Sequence, residues 1–174
     1  HSIAKIILHP IADTWLEYND ATPYGDKKRL KVDGNIQRVT LLKFDLSSLT
    51  TTLVTNENIL GASLKMYSLT NSPFGGKIDL LLDQEECNGW DEYTISWTNA
   101  PECIIFREDE VDNDANRLVV GQFGAIPDFE WNEARLNFDT LKQRQLLPEW
   151  ITLRVTSHRA DGVTYASREN VTAI

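Results

Sequence analysis

Hydrophobic and polar residues alternate along most of this chain with a period of two, the repeat of a β-strand. In Asp13 to Tyr18, Asp13, Trp15 and Glu17 share one side, and Thr14, Leu16 and Tyr18 the other. The longest run is Ile36 to Leu46. It puts Ile36, Thr40, Leu42, Phe44 and Leu46 on one face and Val39, Leu41 and Lys43 on the other. Both faces are partly apolar, which predicts a strand central in its sheet. Asp33-Gly34-Asn35 reads as the hairpin turn before it, with Lys31 in a short strand upstream. Further strands are predicted at Ile3 to Leu8, Ile59 to Leu69, Lys77 to Leu82, Leu118 to Val120 and Phe129 to Phe138. Two more follow at Ile151 to Thr156 and Val163 to Ser167, joined by the turn Asp161-Gly162. Helical spacing occurs at Thr140 to Leu147, started by Asp139 and stopped by Pro148, and as one turn at Leu46 to Leu49. Many strands and turns with one short helix predict an all-β, antiparallel β-sandwich. With no internal repeat and no low-complexity linker, residues 1–174 read as one domain.

One stretch breaks the alternation: Cys87 to Cys103, CNGWDEYTISWTNAPEC. Thr94 to Trp97 reads as a short β-branched strand that Asn99-Ala100-Pro101 stops, because proline lacks an N–H and forces its predecessor extended. The expectation is a long loop that folds back, sinks Trp90 and Trp97 into a core and plugs one end of the sandwich. Two cysteines flanking a compact loop, with no histidine or further cysteine nearby, suit a Cys87–Cys103 disulfide better than zinc. Two unbridged buried thiols are the alternative. A bridge would place the protein in an oxidising compartment.

Within that stretch, WDEYTISWTNAP resembles the W-x-E-x-x-[IV]-[ST]-W-x-x-A-P signature of the DNRLRE (disaggregatase-related) domains, which overlap carbohydrate-binding module family 96. Three further pieces follow that family's order: Ala12-Asp13-Thr14-Trp15, the run Arg38 to Ser47 (RVTLLKFDLS), and Ser167-Arg168-Glu169. The resemblance implies a jelly-roll sandwich and a non-catalytic module of a secreted protein. It implies a polysaccharide partner, acidic ones such as alginate among them. The long acidic insert and the disulfide depart from the family pattern, and the chain runs only a little past Ser-Arg-Glu, where the family usually has one more strand.

Charge and composition narrow this further. A net charge of −9 argues against nucleic acid and anionic membrane surfaces. No apolar run is long enough to span a bilayer. Asn170-Val171-Thr172 is a glycosylation sequon, meaningful if the protein passes a eukaryotic secretory route. His1, His9 and His158 lack metal-ligand spacing. Asp112, Asp114 and Asn116 place oxygens at alternate positions, as a calcium loop begins, but the glycine and later glutamate of that loop are missing. A solvated acidic loop is the plainer account, with a structural calcium the other; no cofactor is required. No nucleophile motif occurs, so an enzyme is not expected. A small polysaccharide lyase built from Tyr165, His158 and Arg154 is one alternative, and a structural or adhesive module is another.

The candidate ligand-binding residues are Lys31, Arg38, Arg154, Arg159, Arg168, Trp15 and Tyr24. Arg38 is in phase with Leu42 and Phe44, so it is either held by an acid, Asp13 being the nominee, or opens onto a binding surface with Lys31. Arg154 is in phase with Thr152 and Thr156, facing away from the core, and Arg168 faces opposite Tyr165. Arginine forks suit carboxylates, and aromatic planes such as Trp15 and Tyr24 suit sugar rings, with core packing the rival role for Trp15. The expected ligand is a uronate-rich, alginate-like polysaccharide, with a neutral glucan or mannan as the rival.

Overall fold

The computed structural model describes residues 5–51, 59–83, 85–105, 117–139 and 148–168. Among these residues, nine strands and one short helix follow in order: β1 (Ala12–Glu17), β2 (Arg29–Gly34), β3 (Gln37–Asp45), α1 (Ser47–Thr51), β4 (Ala62–Tyr67), β5 (Gly76–Leu81), β6 (Arg117–Phe123), β7 (Trp131–Leu136), β8 (Trp150–Thr156) and β9 (Val163–Ala166). Every pairing is antiparallel. One layer runs β6-β5-β8-β3, with β1 added outside β3. β2 pairs with β3 only at the hairpin end, through Asp33 and Gly34, then leaves it to pair with β9. A bridge between Ser68 and Tyr165 joins β9 to the chain leaving β4, and β4 pairs with β7. The second layer is therefore β2-β9-β4-β7, the partner order of a jelly roll.

Both layers send alternate residues into one core. Leu42, Phe44, Ile78, Leu80, Leu118, Val120, Leu153 and Val155 come from the first layer. Leu30, Val32, Leu64, Met66, Ala134, Leu136, Val163 and Tyr165 come from the second. The Asn137 N–H donates to the Val120 carbonyl at 2.7 Å and ties β7 back to β6. Gly76 holds φ at 124°, a conformation side chains rarely adopt, and a Cβ there would stand 2.5 Å from Val155.

The stretch 85–105 does not plug an end. It lies across the outer face of the first layer, where Leu16, Val39, Leu41 and Leu81 form a second apolar cluster with Cys87, Trp90, Ile95 and Ile104. The apolar second face of β3 is buried by this loop rather than by another sheet. Thr94 to Trp97 is turn and irregular chain, not a strand, because Asn99 satisfies it locally: its side chain accepts from Ser96 N–H at 2.8 Å and donates to the Thr94 carbonyl at 2.8 Å. The Cys87–Cys103 disulfide closes the loop. Trp90 Nε1 donates to Thr152 Oγ1 at 3.0 Å, and Thr152 Oγ1 donates to Asn88 Oδ1 at 2.6 Å. Lys43 donates to the Trp90 carbonyl at 2.6 Å with its ammonium 4.6 Å from the Trp90 ring and 5.6 Å from that of Trp150. Burial holds that ammonium below the usual lysine pKa.

One other expectation changes. Residues 5–10 form no strand, and Ile6 and Ile7 are exposed; the pairing begins where the Ile11 N–H meets the Lys43 carbonyl after Pro10. The expected helix at 140–147, the acidic insert with Asp112, Asp114 and Asn116, and the Asn170 sequon lie outside the described residues.

Candidate functional site

Several of the expected ligand-binding side chains are engaged in holding the fold. Arg154 does face away from the main core, but the loop covers it and it is 0% exposed. Its Nη2 lies 2.8 Å from Asp79 Oδ2, and its Nη1 donates to the Ile104 carbonyl at 3.1 Å. It is a buried structural partner, and a ligand in solvent does not reach it. Tyr165 sits in the main core with its hydroxyl donating to the Gly75 carbonyl at 2.8 Å, and burial raises its pKa. Tyr165 thus points from the second layer into the core, Arg154 lies on the far side of the first layer, and the two are not brought together as a lyase's base and arginine.

Arg168 clamps the loop to β1. Its N–H donates to Asp13 Oδ2 at 2.8 Å and its guanidinium pairs with Glu92, which also accepts from the Asp13 N–H at 3.0 Å. Gly25 packs on the same loop so closely that a Cβ would stand 1.8 Å from the Glu92 carbonyl oxygen. Arg38 is held by Glu17 at 2.7 Å and Asp33 at 3.3 Å, not by Asp13. The β1–β3 register explains this: Arg38 stands opposite Glu17, whereas Asp13 stands opposite Leu42. Trp15 is buried in the main core, and Tyr24 stacks on it at 3.9 Å. The Tyr24 hydroxyl donates to Asp20 Oδ2 at 2.5 Å, which holds the Asp20 carboxyl below its usual range and raises the Tyr24 phenol. The Lys31 ammonium lies 4.9 Å from the Trp15 ring centre, and Arg159 lies exposed, 5.6 Å from the Phe74 ring.

The backbones of Lys31, Arg38 and Arg159 gather around the β2–β3 hairpin, while their side chains go to different partners. Arg38 pairs with Asp33, two residues from Lys31, and the Arg159 carbonyl accepts from the Gly34 N–H at 2.9 Å. From there the outer face of the second layer extends. On β2, Leu30 and Val32 point inward, so Arg29 and Lys31 point outward. Their partners on β9 are Ala166 and Thr164, both short; Arg29 stands exposed above this low floor, and the Lys31 ammonium leans back over the Trp15 ring. Farther along the same face β4 presents Ser63, Lys65 and Tyr67, and β7 presents Trp131, Glu133 and Arg135. Trp131 is 53% exposed and meets Tyr67 edge-on, with ring centres 5.6 Å apart at 73°. Lys65, Trp131, Asn132 and Glu133 line a shallow open depression there. Neither Tyr67 nor Trp131 was among the sequence candidates. The signal was present: in WNEARL the tryptophan shares the phase of Glu133 and Arg135, opposite to Ala134 and Leu136.

A rigid sheet face carrying cations, amide and hydroxyl groups and one exposed indole has the makings of a sugar-recognition surface. Residues 4–114, more than half of the chain, match the family described as carbohydrate-binding module family 96. The chain belongs to carbohydrate-binding module family 96. Among curated proteins, none matches it. The family 96 match takes in β1 to β5 and the bridged loop, and with them Trp15, Tyr24, Arg29, Lys31, Arg38 and Tyr67. Trp131, Arg154, Arg159 and Arg168 lie beyond the matched residues. Among the described residues, no helix is long and apolar enough to cross a membrane.

Proposed function

We propose that this family 96 module holds a larger secreted protein on an acidic, uronate-rich polysaccharide such as alginate, and that it does so without catalysis. The family supplies the carbohydrate; the anionic preference rests on β2. There Arg29 and Lys31 stand side by side beside Ala166 and Thr164, while Arg154 and Arg168 are engaged in holding the loop. The low floor leaves Arg29 exposed and Lys31 within reach of a polyanion. Lys27 and Lys28 lead into the strand, and Arg159 flanks its far end. The disulfide fits an oxidising, extracellular setting.

Each cation–carboxylate contact is solvent-exposed, so binding is weak, cumulative over several sugars and salt-sensitive. The net charge of −9 repels polyanions at long range and slows association, which leaves affinity to these short contacts. Substituting Arg29→Ala or Lys31→Ala is expected to weaken alginate binding about two- to fivefold each, roughly 0.5–1 kcal/mol. Added salt should weaken the wild type in parallel. The measurement is affinity for alginate, pectate and a neutral glucan at low and high ionic strength. Binding confined to the glucan, indifferent to salt and to both substitutions, would overturn the anionic reading. No binding to any polymer, together with self-association in solution, would favour a structural or adhesive module.

A further inference from the structure

We propose that Trp131, braced by Tyr67, is a sugar-stacking platform, and that the polysaccharide crosses the strands of the second layer instead of running along them. This rests on the polysaccharide-binding reading and adds the subsite and the direction of the chain.

The registers set out the path. Arg29 stands opposite Ala166. Ser68 bridges Tyr165, so the next residues, Tyr67 and Ala166, are neighbours on the outer face. Tyr67 stands opposite Trp131. Arg29, Ala166, Tyr67 and Trp131 therefore form one row across four strands, about 14 Å from end to end at the usual strand spacing. The row has a cation at one end, a gap over a methyl group, and two aromatic rings at the other end. That spacing suits a uronate oligosaccharide: a carboxylate meets Arg29, the chain passes over Ala166, and a pyranose ring lays its C–H face on the indole.

Three features single out Trp131. It is a large apolar ring left half in solvent on a strand whose other outward residues are charged, and with Tyr67 beside it the exposed surface is a pair of rings and not a single side chain. Its plane is already fixed by the edge contact with Tyr67, so stacking immobilises little further. Lys65, Asn132 and Glu133 rim the depression beside it and offer donors and acceptors to sugar hydroxyls. The core of a protein interface is depleted of charged residues, whereas Lys65, Glu133 and Arg135 stand at alternate positions across this face.

The test compares wild type, Trp131→Ala, Trp131→Phe, Tyr67→Ala and Arg29→Ala by calorimetric titration with short and long alginate oligosaccharides. Trp131→Ala should lower affinity about tenfold, in line with base–aromatic stacking, at unchanged melting temperature, and Trp131→Phe should recover most of it. A ligand too short to reach across the row should respond to Trp131→Ala and ignore Arg29→Ala; a long one should respond to both. The tryptophan emission shift on binding should vanish in Trp131→Phe. If Trp131→Ala binds as the wild type does while Arg29→Ala is impaired, the platform is wrong and the polysaccharide reading stands. If it binds normally but loses self-association, the face belongs to a second copy. If the wild type binds no oligosaccharide, both readings fall.

Discussion

Replacing Asp79 with alanine is expected to cost about 3–5 kcal/mol of stability, the loss typical of removing one partner of a buried ion pair. Asp79 on β5 and Arg154 on β8 stand opposite each other in register, and neither side chain has any exposure. Two contacts from the guanidinium, at 2.8 and 3.3 Å, converge on Asp79 Oδ2, and a third satisfies the Ile104 carbonyl of the bridged loop. Without the carboxylate, a cation remains beneath a lid of Cys87, Trp90, Ile95 and Ile104, where solvating it requires lifting the lid. Arg154→Ala is expected to lose a similar amount, because Lys77, 3.6 Å from Asp79 Oδ1, replaces only part of what the arginine supplies. Replacing both by apolar residues of similar volume should recover much of the loss, since no unpaired charge then stays behind. Urea denaturation measures each loss, and adding the Asp79→Ala/Arg154→Ala double variant to the two alanine variants gives the coupling energy of the pair. Single losses below about 1 kcal/mol would mean that the pair is hydrated, and the buried reading of Arg154 would be wrong.

The same arginine shows where sequence reasoning stops. Its phase with Thr152 and Thr156 gives its face correctly, since period two distinguishes the sides of a strand. Period two says nothing about what covers the second side. The cover was nonetheless encoded elsewhere: Leu16, Val39, Leu41 and Leu81 give three strands apolar residues on the face away from the main core. An apolar face on both sides of β3 requires two covers, and the jelly roll supplies one. The cysteine pair and its two indoles were legible as a closed loop, but a loop's docking place is a long-range contact with no local signature. Arg38 followed the same pattern. Its need for an acid was visible from the core-facing phase, but the choice of Glu17 and Asp33 over Asp13 depends on strand register. Trp131 was missed for a different reason. Its phase with charged residues was readable, but a single exposed aromatic in a sequence marks no ligand by itself; cations carry the clearer signal for an acidic sugar, and most of those have structural partners.

Opening the Cys87–Cys103 bridge is expected to lower stability by about 3 kcal/mol in the chain-entropy account, for a sequence separation of 16 residues. For a chain of this size that corresponds to a fall in melting temperature of roughly 6–12 °C. The native arrangement of the loop should survive, because its anchors do not depend on the bridge. Trp90 keeps its bond to Thr152, Lys43 still holds the Trp90 carbonyl, Arg154 still reaches Ile104, and Glu92 remains between Asp13 and Arg168. The bridge therefore acts chiefly on the unfolded chain, and Cys87→Ala with Cys103→Ala should resemble the reduced wild type. Trp90→Ala differs in kind. It removes a buried ring, its bond to Thr152 and the ring face under Lys43, so it should cost about 3–5 kcal/mol and release the loop itself. Hydrogen exchange separates the two cases. In the bridge variant, amides of β3 and β8 stay protected until global unfolding; in Trp90→Ala, the loop opens first while the core between the layers holds. Native thiols that react at once, or a melting temperature that ignores reductant, would show that the bridge does not form or does not matter. The oxidising compartment inferred from it would then lose its support.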